Sequence, residues 1–519
     1  MDRKWWTLIA VSIGVFMLLL DLTIVNVALP TIQRSFHASL ADLQWVVDAY
    51  ALALAALLLT AGSLADLFGR RIVYASGIVI FTLGSLLCGV SDGALFLCVA
   101  RALQGIGGAT MFATALALIS DAFRGRDRGV AFGVFGATTG VSVAVGPVLG
   151  GVITSNLSWR WIFFVNVPLA VLALAITLLK VVESRNPNAH RADWLGFILF
   201  SGSLAAFVFG LIRASTLGWG ATEVLVSLAA AVVVMVVFVV LERRQAYPML
   251  DLTLLRVPTF VGGLVSAFAV NFSIFSLFTY LTLYQQNILH YSAQATGLHF
   301  LYLTGALFLI AGIAGRLSSR VPIRLLIAPG FILIGAGVLL MRGIEPSSSW
   351  THLIPGFALA GIGAGLVNTP LASTAVGVVE PARAGMASGI NSTLRQVGTA
   401  TGVAALGSLL ATQLRSVVVS NLAHTPLAAS SHVLAGEIGR GAVTTALAQV
   451  PAASRGALAY TARAGYISGL NEIMLIAGIA AFLGAVLSFV LIRQRDFVAT
   501  HSESAPVPKP SSAQAVAAG

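Results

Sequence analysis

Long apolar runs separated by short polar segments account for most of this chain. A helix needs about 20 apolar residues to cross the hydrocarbon core of a bilayer. The pattern predicts fourteen membrane-spanning helices, near residues 6–28, 44–65, 72–91, 94–119, 130–153, 161–182, 193–213, 222–241, 259–284, 296–315, 325–341, 352–376, 388–412 and 469–492. The first run follows Arg3 and Lys4 like a signal peptide, but Asp21 interrupts it and no cleavage site follows, so we interpret it as a retained span.

Composition indicates an integral membrane protein. Of the 519 residues, 58% are hydrophobic and 9% are charged, whereas a soluble protein carries roughly a quarter charged residues. Both cysteines, Cys88 and Cys98, fall in apolar runs and predict no disulfide framework. The sequence has no phosphate-binding Gly-x-x-x-x-Gly-Lys motif, no metal-ligand spacing and no nucleophile triad. We therefore expect neither an enzyme nor a resident cofactor.

The net charge of +11 is unevenly distributed along the chain. Lysines and arginines concentrate in polar segments on the side of the N-terminus, whereas the short segments on the other side carry few of them. Because cytoplasmic loops are enriched in these residues, the bias predicts cytoplasmic termini and an external segment at 413–468. Topology in a cell membrane thus explains the basic excess, and we expect no nucleic-acid partner.

The chain also repeats itself at nearly constant offsets. Gly105-Ile-Gly-Gly-Ala109 recurs 256 residues later as Gly361-Ile-Gly-Ala-Gly365, and Ala61-Gly-Ser-Leu64 meets Ala314-Gly-Arg-Leu317 at an offset of 253. Several matches at nearly one offset favour a duplicated six-helix unit. We therefore expect a first bundle at 1–185, an inserted pair of spans at 186–257, a second bundle at 258–496 containing the long loop 413–468, and a disordered cytoplasmic tail at 497–519.

The segment between the second and third spans combines one acid, two arginines and two glycines at the membrane surface. It resembles the cytoplasmic signature of major facilitator superfamily transporters, and the matching positions are Gly62, Leu64, Asp66, Gly69, Arg70 and Arg71. The resemblance implies an all-α major facilitator fold of two six-helix bundles. Fourteen spans with a central extra pair match the drug:proton antiporter branch of that superfamily. An ordinary positively charged loop is the alternative interpretation.

A carboxylate interrupts the first span. Asp21 lies about 22 Å along that helix, where an ionised group costs a few kcal/mol unless it is protonated, paired or hydrated. The run from Leu20 to Pro30 resembles the first-helix signature of the fourteen-span antiporters, which implies a role for Asp21 in proton coupling. The alternative is a structural carboxylate bonded to neighbouring helices. Asp48, in the second span, is either a second coupling acid or an interfacial residue.

Arg101 lies in the fourth span, where a guanidinium requires a carboxylate, carbonyl groups or water. The run from Arg101 to Gly108 resembles the Arg-x-x-Gln-Gly-x-Gly motif of the family, which implies that the arginine is linked to proton transfer. The alternative is a side chain that snorkels to the outer surface. The sequence does not determine whether Arg101 contacts Asp21 directly.

The fifth span carries Gly-Pro-x-x-Gly-Gly at Gly146, Pro147, Gly150 and Gly151. This run resembles the antiporter signature of the superfamily, which is associated with exporters. Generic packing of small residues is the alternative explanation for the glycines. We further expect a mixed polar and aromatic substrate cavity, with Asn26, Asn271, Tyr284, Gln286 and Arg395 as candidates for its wall, although packing or structural roles are open for them.

Together these features predict a proton-coupled exporter of hydrophobic, often cationic small molecules that works by alternating access. Its expected partners are the substrate, protons and the lipid bilayer, and we expect a monomer. The loop from Gly62 to Arg71 would latch the two halves on the cytoplasmic side through Asp66. The alternatives are an exporter dedicated to one natural product, lipid or siderophore, an importer, and a membrane-bound sensor.

Overall fold

A computed structural model describes residues 2–123, 125–185, 193–245, 248, 250–318, 320–379, 384–439 and 441–497. These parts of the chain form α-helices and contain no β-strand. The helices are α1 Arg3–Phe36, α2 Leu40–Phe68, α3 Arg70–Gly89, α4 Ala94–Ala122, α5 Gly125–Asn156, α6 Trp161–Phe164, α7 Asn166–Lys180, α8 Trp194–Leu217, α9 Thr222–Glu242, α10 Pro258–Val270, α11 Ser276–Leu283, α12 Ala293–His299, α13 Leu301–Leu317, α14 Arg324–Leu340, α15 Ile354–Gly377, α16 Ala384–Leu422, α17 Ser431–Gly439, α18 Val443–Ala448 and α19 Ala452–Leu491.

The predicted spans coincide with these helices. Within the described residues, 13 helices are long and apolar enough to cross a membrane. The remaining predicted span, near 325–341, coincides with α14, a shorter apolar helix of 17 residues. The all-helical membrane architecture expected from the hydropathy pattern is therefore confirmed.

Two turns of π-helix interrupt the ninth span, which the apolar pattern predicts as one continuous helix. They cover Asn271–Phe275, between α10 and α11, and Tyr284–Ile288, after α11. Such turns widen a helix locally and occur frequently at functional sites. This span therefore presents polar groups from an irregular backbone.

The two six-helix bundles share one packing scheme. A Cβ added to Gly105 of α4 would lie 2.5 Å from the carbonyl oxygen of Tyr50 on α2. The equivalent Gly361 of α15 meets the carbonyl oxygen of Leu303 on α13 in the same way. Only glycine permits so close an approach of two helix backbones. The same offsets of 256 and 253 residues relate both partners, so the duplication inferred from the sequence is also a duplication of contacts.

The inserted pair, α8 and α9, packs beside the junction of the two bundles. Leu204 and Val208 of α8 share a buried apolar cluster with Ala51 of α2 and Ala400 of α16. Helix α9 lies outside α8 and leaves much of its apolar surface exposed, as expected for a face in contact with lipid.

The alternating helices define two ends of the molecule. The Gly69 end carries the turn between α2 and α3, and there Glu183 contacts the start of α3. The His37 end carries the turn between α1 and α2, and Gly441, after α17, lies next to Gln33 and Leu40 at that end.

The segment 413–468 differs from a simple loop. Helices α16 and α19 run into it from both sides and, at 39 and 40 residues, are about 60 Å long. Between them, α17 and α18 pack on both helices around a separate apolar cluster that includes Val418, Leu434 and Leu458. The result is a small helical domain at the His37 end. Of the predicted tail 497–519, residues after Phe497 lie outside the described part of the chain.

Candidate proton-coupling and transport site

Asp21 and Arg101 form an ion pair in the interior of the first bundle. Arg101 Nη1 donates to Asp21 Oδ2, and each residue is 1% exposed. The snorkelling alternative for Arg101 is therefore wrong in this structure, because the guanidinium turns inward. A buried pair of this kind is costly to break, since removing one partner leaves an uncompensated charge.

Further polar groups surround the pair and extend it across the bundle. Gln104 Nε2 donates to Asp21 Oδ1 at 2.9 Å and to Ser85 Oγ at 2.7 Å, while its Oε1 accepts from Arg101 Nη1 at 2.7 Å. Asn166 Nδ2 donates to Ser85 Oγ at 3.1 Å. The network thus joins α1, α3, α4 and α7, and all its members are buried.

Two other contacts hold the Arg101 side chain. Its Nε donates to the carbonyl oxygen of Val46 on α2 at 3.2 Å, and its guanidinium lies 4.2 Å from the ring centre of Tyr50. Cation–π contact and charge-assisted hydrogen bonds compensate for the loss of water around the guanidinium. The arrangement thus gives the two carboxylate oxygens of Asp21 one guanidinium partner and one amide donor.

Asp48 has a different environment. It is fully buried on α2, and among the described residues neither of its carboxyl oxygens has a hydrogen-bond partner. The interfacial interpretation of this residue is therefore not supported by its burial. A buried carboxyl group without donors is far less costly when it is protonated.

The second bundle holds its intramembrane arginine with amides. Arg395 Nη1 donates to Asn368 Oδ1 at 2.7 Å, and Nε donates to Asn391 Oδ1 at 3.4 Å. One turn along α16, the Thr399 hydroxyl lies 3.4 Å from Asn271 Oδ1, at the first π-helical turn. Arg395 and Asn271 therefore belong to one half-buried polar cluster, and no carboxylate forms an ion pair with Arg395 among the described residues.

The other three cavity candidates lie elsewhere. Asn26 Oδ1 accepts from Thr279 at 2.8 Å, and Gln286 Nε2 donates to the carbonyl oxygen of Val27 at 2.8 Å. Both contacts join the first bundle to the second, toward the His37 end. Tyr284 is buried close by. We call this contact surface between the bundles the seam.

The Gly-Pro-x-x-Gly-Gly run packs against helices both within the first bundle and across the seam. A Cβ on Gly150 would lie 2.8 Å from the carbonyl oxygen of Ile24 on α1, within the first bundle. A Cβ on Gly151 would lie 2.5 Å from the carbonyl oxygen of Ala293 on α12, across the seam. Gly146 faces α1, and Pro147 lies against Gly297 of α12. The run therefore brings α5 close to α1 and to the second bundle at once.

The loop between α2 and α3 is braced by carboxylates at the Gly69 end. Asp66 Oδ1 accepts from Arg70 Nη2 at 3.1 Å, and Asp121 of α4 lies 3.8 Å from Arg70 Nη1. Glu183 accepts from the backbone N–H of Arg71 at 3.0 Å and so caps α3. Gly69 has φ = +109° and no room for a Cβ beside Glu183. These partners all belong to the first bundle.

Several of these residues had only a weak signal in the sequence. Gln104 belongs to the quoted fourth-span motif, so its polarity could have marked it as a partner of Arg101. Ser85 and Asn166 are single polar residues in apolar runs, like many others in this chain. Glu183 follows a span end, where a charge is ordinary.

Comparisons with known proteins agree with this architecture. The sequence profile of the Major Facilitator Superfamily matches residues 11–403. The chain is 39% identical over 431 residues to the Multidrug resistance protein Stp of Mycobacterium tuberculosis, covering 83% of this chain and 80% of that protein. It is 33% identical over 513 residues to the Tetracenomycin C resistance and export protein of Streptomyces glaucescens, covering 98% and 95%.

A solved structure with the same fold is that of a bacterial homolog to the human lysosomal transporter Spinster, in an inward-facing and occupied conformation. The TM-score is 0.65 at 16% identity, and the match covers 95% of this chain and 98% of the other. The family match, the relatives and the membrane-spanning helices show that the chain is a multi-pass membrane transporter and not an enzyme. Its profile match, its relatives and its duplicated bundles show that it belongs to the Major Facilitator Superfamily.

Proposed function

We propose that this protein exports hydrophobic, often cationic small molecules across the cell membrane in exchange for protons. The observation that carries the proposal is the buried ion pair of Asp21 and Arg101 in the interior of the first bundle. Ionisable groups at such a depth are costly and mark transport pathways. The names of the relatives Stp and Tetracenomycin C resistance and export protein support efflux of small molecules.

In the proposed cycle, Asp21 takes a proton from outside, which weakens its ion pair with Arg101 because the negative charge disappears. Substrate then leaves outward, and the proton is later released to the cytoplasm. Asp48 is a second proton carrier in this scheme. The polar cluster around Arg395 and Asn271 would form part of the substrate cavity, and its hydrogen-bonding amides suit substrates of varied shape.

The proposed topology places the Gly69 end, with both termini, in the cytoplasm and the His37 end outside. Contacts such as those of Asn26 with Thr279 and Gln286 with Val27 close the seam on the proposed outer side. In the opposite state the loop from Gly62 to Arg71 would latch the bundles together, and Asp66 would exchange its partner Arg70 for one in the second bundle.

An exporter dedicated to one natural product is the second candidate. It is favoured by the relative from Streptomyces glaucescens, which is named for resistance to and export of a single compound and matches 98% of this chain. The two candidates differ in substrate range, whereas the coupling chemistry would be shared.

The test combines a susceptibility panel with dye efflux in a pump-deficient bacterium that expresses the full chain. We expect reduced susceptibility to several unrelated hydrophobic cations, and efflux that an uncoupler abolishes. Protection against one compound only would favour the dedicated exporter. Asp21→Asn keeps the size of the side chain but fixes it neutral, so uncoupler-sensitive efflux should disappear. Asp48→Asn and the double variant are the matched comparisons, and full efflux by Asp21→Asn would assign the coupling elsewhere.

A further inference from the structure

Three buried oxygen atoms on one face of α2 are hydrogen-bond acceptors that have no donor in the described part of the chain. They are Oε1 of Gln44 and both carboxyl oxygens of Asp48, and none has a hydrogen-bond partner among the described residues. The two residues are four positions apart, so their side chains are neighbours on the helix surface. Three adjacent acceptors without a donor require an explanation, since buried polar groups are nearly always paired. A proton on Asp48 would convert one acceptor into a donor for Gln44 Oε1.

The other end of the Gln44 amide is fully engaged at the seam. Its Nε2 donates to the hydroxyl of Tyr280 at 3.2 Å and to the carbonyl oxygen of Val403 at 3.2 Å. The Tyr280 hydroxyl also donates to Val403, and Gly407 leaves the space that both side chains occupy. An amide nitrogen has only two hydrogens, so these contacts use its whole donor capacity.

Charged groups on the helices around Asp48 are engaged elsewhere. Arg101 on α4 pairs with Asp21, Arg213 on α8 with Glu223, and Arg395 on α16 with Asn368. Among the described residues, the titratable groups that interact electrostatically with Asp48 include the Cys98 thiol on α4 and the Tyr280 hydroxyl on α11. Neither is charged near neutral pH. The amide of Gln44, one turn away on α2, is therefore in a position to respond to a change in the charge of Asp48.

We propose that Gln44 is a positioning residue that ties the protonation of Asp48 to closure of the seam at the His37 end. This inference rests on the proposed function. When Asp48 is protonated, its hydroxyl donates to Gln44 Oε1, and the amide stays on Tyr280 and Val403. When Asp48 is ionised, it attracts the Gln44 N–H groups and repels Oε1. The carboxylate gains a hydrogen bond only at the expense of one at the seam, so loss of the proton loosens that contact.

The test measures the opening of the His37 end directly. Spin labels are attached at Ser35→Cys and Ser347→Cys, two exposed sites at that end, one on each bundle. The full chain in lipid nanodiscs is measured by double electron–electron resonance. The chain without these substitutions shows whether its own Cys88 and Cys98 become labelled and contribute. When the pH is lowered from about 8.5 to about 5.5, we expect the fraction of molecules with a short distance between the two labels to rise by about fivefold. We call this increase the pH ratio.

The variants separate a switch from a simple contact. Gln44→Met keeps the length but removes the donors, so we expect a low short-distance fraction at both pH values. Asp48→Asn should give a high fraction at both. Gln286→Met is the matched control, because it removes a similar seam bond to Val27 without an adjacent acid, and its pH ratio should match the unsubstituted chain.

The inference would be overturned if the pH ratio of the unsubstituted chain persisted in Gln44→Met or in Asp48→Asn. It would also be overturned if Gln286→Met abolished the pH ratio as completely as Gln44→Met does. The efflux assay judges the proposed function separately. Uncoupler-sensitive efflux combined with any of these results removes only the role of Gln44, whereas efflux that ignores the uncoupler removes the proposed proton coupling itself.

Discussion

The two bundles have the same glycine contacts but different interiors. In the first, Gly107 of α4 packs against the backbone of α3 at Phe81, and in the second, the equivalent Gly363 of α15 packs against α14 at Ile334. At the positions equivalent to Arg101, Gln104 and Ser85, the second bundle has Phe357, Ala360 and Val338, all fully buried. The polar network of the first bundle is thus replaced by hydrocarbon.

This difference separates the glycines that pack the helices in both bundles from the polar residues that we propose for proton coupling. Close backbone contacts recur in both bundles because each must pack helices without help from the hydrophobic effect in lipid. Among the described residues, an ion pair with both side chains buried occurs in the first bundle alone, where each partner compensates for the desolvation of the other. The second bundle places Arg395 among amides, so this half presents donors rather than a carboxylate. In the proposed mechanism, the proton-binding acids Asp21 and Asp48 lie in the first bundle, and the polar cluster proposed for substrate contact lies in the second.

The strongest test of this contrast is Arg101→Leu. It leaves Asp21 without its cation, and an uncompensated buried charge costs about 3–5 kcal/mol. We expect loss of efflux and a clearly lower midpoint of thermal unfolding in detergent. The equivalent Phe357→Leu should cost about 1 kcal/mol, as an ordinary core substitution.

Combining Asp21→Asn with Arg101→Leu removes both charges. Stability should then recover, while uncoupler-sensitive efflux should not. Equal destabilisation by Arg101→Leu and Phe357→Leu would contradict a special role for the ion pair in the first bundle.

A smaller effect tests whether the packing scheme is shared. Gly105→Ala and Gly361→Ala each push a methyl group into a facing carbonyl oxygen, and overpacking of this kind costs about 1–3 kcal/mol. We expect similar losses from the two, measured by thermal unfolding. Gly202→Ala on α8 is the control, because its Cβ meets open space and alanine favours helix by roughly 0.5–1 kcal/mol. A loss of stability in only one of the two variants would show that the bundles do not share the packing scheme.

The smallest expected effect concerns the loops at the Gly69 end. The second bundle has Pro322 and Ile323 where the first has Gly69 and Arg70, so only one loop can act as the proposed latch. Asp66→Asn should lower efflux by about threefold, because it removes a charged contact made in one state only. Stability should change little, since the pair of Asp66 and Arg70 is partly open to solvent and such pairs near the surface contribute about 0–1 kcal/mol. Asp2→Asn, another acid near that end, is the control, and equal slowing by both variants would argue against a latch.

The positions of the spans and the duplication were predictable because both depend on local sequence. A run of apolar residues has the length of a bilayer whatever its neighbours are, and glycines that touch backbone recur at a fixed offset. The contact of Asp21 with Arg101 was not predictable in the same way. It joins residues 80 positions apart, and the rotation of two helices about their axes decides whether their side chains meet.

Two other features escaped prediction for different physical reasons. The π-helical turns at Asn271 and Tyr284 are backbone events, and no residue type demands them. The length of α16 and α19 beyond the membrane was hidden because residues 413–468 are too polar for a span, although they are rich enough in alanine to continue a helix.

Those two long helices have a mechanical consequence. They connect the small domain at the His37 end to the second bundle through uninterrupted helix, so the domain acts as the arm of a lever whose pivot lies within the membrane. If the bundles rock by about 10°, a point about 25 Å from the pivot is displaced by about 4 Å. A conformational change too small to resolve among packed side chains would therefore be magnified at the surface of the molecule.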